Sequence, residues 1–445
     1  MFPDTYNPRT LLHNLPLGNI ELLNSAALWL CAWCNRCYNR CPQKINLPEI
    51  FQALRKLAVQ YGYTEGFYEA LRIIREKVPL PASCCYVCFH PNRAIEKDKY
   101  VNRIIKKFII DFEGKKKKTK GVKNKKGKVA IVGSGPAGLS AAQVLALKGY
   151  KITIYESHKI CGGMLRNCIP EYRLPKNIVD FEVNCIKNLG VKIKKNQEIG
   201  KKLKMETLLK DYDAVFLATG ATKEKTIDIE GRELKGVFYA LDFLEKANLG
   251  KTKLSGKVLV IGGGDVAVDC ARTALKLGAK ESTILYRRSK EEMPANLWEV
   301  KEAERDGVKI EYLVAPKRII GKKGRVVGIQ CVKNELGELD DSGRRRSIAI
   351  PGSEFEMEAN YIIVAIGQYP NTVFLPDSVE INRDHTIAVN PFTLETTSPC
   401  VFAGGDVANG PATLIEAILA GKQAAETIDN YLKSLSLKLS EIKNK

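Results

Sequence analysis

The stretch KVAIVGSGPAGLSAAQVLALKGYKITIYES, residues 128–157, constrains the fold more than any other part of the chain. A short apolar run leads into glycines, then into apolar residues at helical spacing, then into a second apolar run. A buried strand, a tight turn, a helix and a parallel strand account for that order. Gly133, Gly135 and Gly138 supply a G-x-G-x-x-G spacing, with Pro136 and Ala137 inside it. Gly133 allows the turn, Gly135 lets the backbone approach a pyrophosphate, and Gly138 lets the helix pack close to the strand. The helix start then offers N–H groups and positive partial charge to the phosphates. Glu156 ends the second strand, where a carboxylate accepts hydrogen bonds from a ribose.

The same unit recurs in KVLVIGGGDVAVDCARTALKLGAKESTILYRR, residues 257–288. Its turn reads Gly262-Gly263-Gly264-Asp265-Val266-Ala267, with alanine in the last place. Two such units imply an α/β chain with two Rossmann-like dinucleotide-binding domains on parallel sheets. The second unit ends in Tyr286-Arg287-Arg288, where a carboxylate would favour NADH. Arginines instead suit a 2′-phosphate through charge-assisted bonds. NADPH is therefore the expected second nucleotide, and ordinary surface charge is the competing reading of both arginines. Two other stretches bear on the first site. AVFLATGA ends a strand in Thr219-Gly220, and VFAGGDVANG places Gly405 and Asp406 between a strand and a helix. Asp406 suits the ribityl chain of a flavin. A helix start there suits the flavin ring, where reduction builds negative charge.

The remainder of the chain is of another kind. Its 445 residues allow roughly three domains. LPEIFQALRKLAVQYG, FYEALRIIREKV and NRIIKKFIIDFE have helical apolar spacing, so residues 1–112 are expected to be all-α. GKKKKTKGVKNKKGK, residues 114–128, concentrates part of the net charge of +20 and reads as a solvated linker. No nucleic-acid recognition motif accompanies the charge, so nucleic acid is not an expected partner. No apolar run approaches the ~20 residues of a membrane span. MFPDTYNPRT lacks the pattern of a signal peptide, so a cytoplasmic location is expected.

Seven of thirteen cysteines precede residue 90. Cys31, Cys34, Cys37 and Cys41, followed by Pro42, have the spacing of a ferredoxin-type 4Fe–4S run. Zinc is the rival, although its four thiolates usually come as two separated pairs. Cys84, Cys85 and Cys88 form a second, less regular group. Two complete 4Fe–4S clusters need eight ligands, so either one ligand is not cysteine or only one cluster is complete.

GGMLRNCIPEYRLP, ILYRRSKEEMPA, VAIGQYPN and VFAGGDVANGPATLIEAI together resemble the small subunit family of NADPH-dependent glutamate synthases. They are also similar to the electron-entry half of dihydropyrimidine dehydrogenase and to the larger subunit of bifurcating ferredoxin–NADP oxidoreductases. The resemblance implies a helical iron–sulfur domain, then an FAD domain with an NADPH domain inserted in it. It carries Gly133, Gly135, Gly138, Glu156, Gly163, Arg166, Thr413 and Asp406 onto FAD positions. Gly262, Gly264, Arg287 and Arg288 fall on NADPH positions. Thr219-Gly220 and Ile366-Gly367 mark the crossings between the two domains. There are departures: Cys168 stands where the family has glycine, and Asn92 stands where a third cysteine of the second group is expected. Cys161 and Cys168 are read as packing residues rather than a redox dithiol.

These readings divide the chain into a helical 4Fe–4S domain at 1–112, a linker at 113–127, FAD-domain parts at 128–222 and 368–432, an NADPH domain at 223–367, and a polar tail from 433. The expected activity is electron transfer from NADPH through FAD and 4Fe–4S clusters to a partner. The resemblance makes that partner a large catalytic subunit of the glutamate synthase type. The sequence shows no N-terminal cysteine nucleophile and no flavin barrel, so glutamate chemistry would belong to that subunit. An NADPH:ferredoxin oxidoreductase, stand-alone or bifurcating, with a ferredoxin-type acceptor is the alternative. A zinc-stabilised basic binding protein without redox work is the rival of another class.

Overall fold

A computed structural model describes residues 6–14, 20–32, 37, 45–63, 65–89, 127–340 and 343–443. The lysine-rich run up to residue 126, Cys34, Cys41, Asn92 and the segment NRIIKKFIIDFE lie outside the described residues. The chain divides into two compact units. One comprises Met1–Leu165, Arg173–Ala221 and Pro370–Lys445, and the other Arg166–Tyr172 and Thr222–Tyr369.

In the first unit, five parallel strands lie in the order Val401–Ala403, Ala214–Leu217, Lys128–Val132, Lys151–Tyr155, Lys192–Lys194. Four residues of Lys128–Val132 are buried, as a central strand covered on both faces requires. Helix Pro136–Leu147 follows and buries small residues on nearly every side. Small side chains let the C-terminal helix Leu414–Lys443 approach closely. A Cβ on Gly421 would stand 2.1 Å from the Ala137 carbonyl oxygen. Lys148 pairs with Glu426 and Asp429 (2.6 and 2.8 Å), and the Tyr150 hydroxyl donates to Asp429 (2.7 Å). That last helix continues to Lys443, through the segment read from sequence as a tail. Residues 433–443 contain neither glycine nor proline, and Lys433 pairs with Asp429 one turn earlier (2.8 Å).

Two of the segments whose apolar spacing predicts helices, those at 47–60 and 65–77, are helical in the structure. Leu47–Gln60 and Glu65–Lys77 bury Phe51, Ala58, Phe67, Leu71 and Ile74, with Leu28 and Trp29 of a short preceding helix. Helix Pro81–Cys84 runs into a π-turn, Cys85–Phe89.

In the second unit, five parallel strands are ordered Val237–Tyr239, Tyr361–Val364, Lys257–Ile261, Glu281–Tyr286, Lys309–Tyr312. An antiparallel sheet, absent from the sequence reading, packs beside it. Val314–Lys322, Phe355–Glu358 and Arg345–Ala349 all pair with the long strand Arg325–Leu339. Lys223–Glu224 and Gln368–Tyr369 pair antiparallel, so the entry and exit segments of the unit run side by side. Among the described residues, no helix is long and apolar enough to cross a membrane.

Candidate nucleotide and cysteine sites

The first glycine turn is built by close backbone approach. Gly133 has φ +103°, and a Cβ there would meet the Ala218 carbonyl oxygen at 2.4 Å. A Cβ on Gly138 would stand 2.1 Å from the Gly133 oxygen. Gly135 differs: no described atom lies within 4 Å of where its Cβ would be. The surface over Gly135, at the start of a helix, is open to a ligand, as a pyrophosphate-binding turn requires.

Three chain segments converge on this turn. Gly162 donates its N–H to the Ser134 carbonyl (3.1 Å), and a Cβ on Gly163 would meet Gly135 Cα at 2.8 Å. Gly405, φ +76°, lies where a Cβ would meet Ala137 Cβ at 2.9 Å. Asp406 follows it, and burial pushes its carboxyl up to about 7, against the pull of the Ala412 N–H. Buried Thr219 Oγ1 has no hydrogen-bond partner among the described residues. An open glycine surface, an orphaned hydroxyl and a desolvated carboxyl fit the polar edges of a flavin dinucleotide. Thr413 caps helix Leu414–Lys443, its N–H and hydroxyl both donating to Glu416 (3.0 and 2.7 Å).

Glu156 is buried at the end of its strand, but its carboxylate is already engaged. It accepts from the Ser134 N–H (3.0 Å), the Ser134 hydroxyl and the His158 N–H (2.8 Å). Burial opposes its ionisation; the His158 and Ser134 hydrogen bonds outweigh that and hold the carboxyl below its usual value. In this structure Glu156 locks the glycine turn to the strand end. Arg166 belongs to the short segment grouped with the second unit, where Asn248 Nδ2 donates to its carbonyl (3.3 Å).

Asp406 sets a pH signature for the flavin-free protein. Its folded pKa is raised, so its contribution to stability is present at low pH. That contribution is lost as pH rises from 3.8 through about 7. Thermal melts of wild type and Asp406→Asn are expected to differ across that window, with only wild type losing this increment. Parallel melting curves would remove the assignment.

The second turn repeats the division of labour. A Cβ on Gly262 would meet the Ala365 carbonyl oxygen at 2.2 Å, and one on Gly263 the Tyr286 ring at 2.3 Å. Gly264, which caps helix Asp265–Lys276, has no described atom within 4 Å of its Cβ position. Asp265 accepts from the Asn296 N–H (2.8 Å), Val266 is half-buried, and Ala267 is fully buried against the sheet. The two arginines after the strand separate in character. Arg287 is exposed. Arg288 is only 4% exposed, donates Nε–H to the Arg345 carbonyl (2.6 Å) and pairs with Asp340. Its guanidinium is committed to the protein itself, whereas Arg287 stays exposed after the strand.

The described cysteines of the helical part are withdrawn from solvent. Cys31, Cys84, Cys85 and Cys88 are buried and Cys37 half-buried. Arg55, 1% exposed, donates Nε–H to the Leu28 carbonyl (3.0 Å) and Nη2–H to the Cys31 carbonyl (3.2 Å). Its guanidinium lies 5.5 Å from the Trp29 ring centroid. Burial pushes the Cys84 thiol up, and its hydrogen bond with Cys88 does the same, so these two sulfurs are neighbours. Buried, paired thiols suit soft-metal ligation. Among the described residues, no three metal-ligating side chains converge on one point.

Glu182 has no counterpart in the sequence reading. It lies buried on helix Lys176–Asn188 and accepts from the Ala82 N–H (2.7 Å), the Ser83 N–H (3.3 Å) and the Ser83 hydroxyl. These are the first donors of the helix that leads to Cys84, Cys85 and Cys88. Burial pushes the Glu182 carboxyl up to about 7, against the pull of those hydrogen bonds.

Residues 127–421 match the family described as pyridine nucleotide-disulphide oxidoreductase. The NADP(+)-dependent formate dehydrogenase subunit beta of Moorella thermoacetica is 40% identical over 432 residues, 89% of this chain; the chain spans only 60% of that protein's length. The NADPH glutamate synthase small chain of Escherichia coli K12 is 35% identical over 395 residues, 82% of this chain and 84% of that one. The structure of FprA from Mycobacterium tuberculosis, in complex with NADPH, shares the fold with TM-score 0.59 at 21% identity, covering 72% of this chain and 86% of that chain. The chain belongs to the pyridine nucleotide-disulphide oxidoreductase family and, within it, to the group that contains the glutamate synthase small chains.

Proposed function

We propose that the chain is the electron-entry subunit of a larger redox enzyme, taking hydride from NADPH at FAD and passing single electrons through 4Fe–4S clusters to a partner. The observation that carries this reading is the pair of open glycines. Gly135 and Gly264 each stand at a helix start on a parallel sheet, with no described atom within 4 Å of the Cβ position. The chain thus has two dinucleotide turns, and thiols are buried in its helical part.

FAD supplies the exchange between two-electron hydride chemistry and one-electron transfer, and the clusters carry the single electrons. The protein's own residues bind and orient. The turn Gly133–Gly138 presents N–H groups to the FAD pyrophosphate. Glu156 holds that turn and faces the adenosine ribose, and Asp406 with Thr219 meets the flavin end. Gly262, Gly264 and Arg287 hold NADPH. Cys31, Cys34, Cys37 and Cys41 hold one cluster; Cys84 and Cys88, with Cys85 beside them, contribute to a second. No protein acid or base is assigned, because hydride transfer needs alignment and exclusion of water rather than a proton donor.

The proposed partner is a large catalytic subunit of the glutamate synthase type. The 40% identity to a formate dehydrogenase subunit favours a second reading, in which the acceptor is a different large redox subunit or a ferredoxin-type protein. An anaerobic absorbance spectrum with an iron assay tests the common core. Flavin bands that bleach on adding NADPH, over a broad iron–sulfur shoulder, are expected. A colourless protein with strongly salt-dependent polyanion affinity would instead support the zinc-stabilised binding protein. Copurification with a glutamine-binding large chain, or with another redox chain, separates the two partners.

A further inference from the structure

We propose that Asn248, the last residue of helix Ala240–Asn248, is a positioning residue of the flavin site. Its side-chain amide holds the short helix Met164–Asn167, which starts beside the open face of Gly135. This inference rests on the flavin reading of the first glycine turn and names a residue that belongs to no nucleotide motif.

The short helix begins where the chain leaves that turn. The Gly162 N–H donates to both the Ser134 carbonyl and Ser134 Oγ (3.1 Å each). Gly163, φ +52°, packs against Gly135 so closely that a Cβ would stand 2.8 Å from the Gly135 Cα. The Leu165 N–H then returns to the Gly162 carbonyl (3.2 Å). Met164–Asn167 therefore edges the surface that a dinucleotide on Gly135 would cover.

Four residues do not make a self-supporting helix, because nucleation costs more than one turn returns. The last four carbonyls of a helix also lack partners within it, and here those are all the carbonyls the helix has. Two side chains from outside supply donors. Lys176 Nζ donates to the Leu165 and Leu174 carbonyls (3.2 Å each). Asn248 Nδ2 donates to the carbonyls of Asn167 (2.8 Å), Ile169 (3.1 Å) and Arg166 (3.3 Å). An amide carries two such protons, so the longest bond shares one of them. Turned the other way, the amide would set its own oxygen against three carbonyl oxygens, so the donor role follows from the chemistry of the surroundings.

Asn248 is itself placed by the way its helix ends. Gly250 has φ +68°, its N–H donates to the Ala247 carbonyl, and the Lys251 N–H donates to the Lys246 carbonyl (2.9 Å each). Phe243 and Leu244 bury the other face of the same helix. The segment beyond the short helix is tied again at Tyr172, whose ring centroid lies 4.9 Å from both Arg272 Cζ and Lys276 Nζ. Between Gly163 and Tyr172, three carbonyls thus share one amide. Its loss acts on the flavin through the helix rather than by contact.

The test is titration of the purified, anaerobic, flavin-free protein with FAD, followed by flavin fluorescence. Wild type, Asn248→Ala, Asn248→Asp and Lys246→Ala, an exposed control on the same helix, are compared. Asn248→Ala is expected to weaken FAD about tenfold. Asn248→Asp keeps the size but turns the donor into an acceptor, so it should bind FAD no better than the alanine variant. A packing role would instead leave the Asp variant near wild type and overturn the inference. Lys246→Ala should match wild type, and NADPH affinity should be the same in all four proteins. A parallel loss of NADPH affinity would mark general damage and count against a positioning role. A second measurement needs wild type alone: FAD should slow amide hydrogen exchange in residues 162–170. If FAD binds and that exchange is unchanged, or if both Asn248 variants bind FAD as tightly as wild type, this inference fails alone. If wild type takes up no FAD, the flavin reading fails and the inference with it.

Discussion

Gly135→Ala is expected to give a folded protein that has lost most of its flavin, whereas Gly138→Ala is expected to damage the fold itself. The two glycines belong to one motif but stand in different surroundings. At Gly135 the backbone has φ −71° and ψ −178°, which any L-residue adopts and which suits a residue before proline. No described atom would touch the new methyl. It would stand where the pyrophosphate must meet the helix start. Intrusion of that kind costs about 1–3 kcal/mol, or about tenfold to a hundredfold in flavin affinity. At Gly138 the methyl would lie 2.1 Å from the Gly133 carbonyl oxygen. Alanine gains about 1 kcal/mol of helix propensity over glycine, but a backbone oxygen held in a turn cannot move aside. A fall in melting temperature of about 5–10 °C is expected. Flavin content after desalting and thermal melts of both variants decide it. Equal losses of stability would remove the distinction.

Glu182→Ala is expected to be the most destabilising single change outside the glycine turns. It would strand the Ala82 and Ser83 N–H groups and the Ser83 hydroxyl in a buried place. Each buried donor left without a partner costs about 1–3 kcal/mol. The melting temperature should fall on the order of 10 °C. Because these donors start the helix that presents Cys84, Cys85 and Cys88, iron content should fall while flavin content is retained. Glu182→Gln keeps the shape and one acceptor oxygen, so it should lie between wild type and alanine. An alanine variant with wild-type melting and wild-type iron would show that Glu182 anchors nothing.

The parts of the fold that were legible in the sequence are those encoded by neighbours in the chain. The strand–turn–helix–strand units need only local apolar spacing and glycines at set offsets, so both parallel sheets could be read directly. The two amphipathic helices at Leu47–Gln60 and Glu65–Lys77 were legible for the same reason. The antiparallel sheet was not. Its strands alternate buried with charged exposed residues, and what pairs them is contact across the sheet rather than any motif.

The site shows the same division at the level of single residues. From the sequence alone Arg287 and Arg288 are equivalent, and Gly135 and Gly138 are members of one pattern. Only the folded chain makes Arg288 an internal strut and Arg287 an exposed cation, because Asp340 and Arg345 arrive from a distant arm. Glu182 and Ser83 are 99 residues apart, and Arg55 and Cys31 are 24 apart. In an amphipathic pattern Arg55 reads as a surface residue, yet it is buried against the backbone that carries the first cysteine.

What the sequence determined by itself is the chemistry on offer: two nucleotide turns, a cysteine-rich helical segment and a choice of basic residues at one strand end. Tertiary structure decided which of those groups stay open and which are tied into the protein. The physical reason is burial. A charged or polar group taken out of water must find partners, and those partners come from whichever distant segments packing brings beside it.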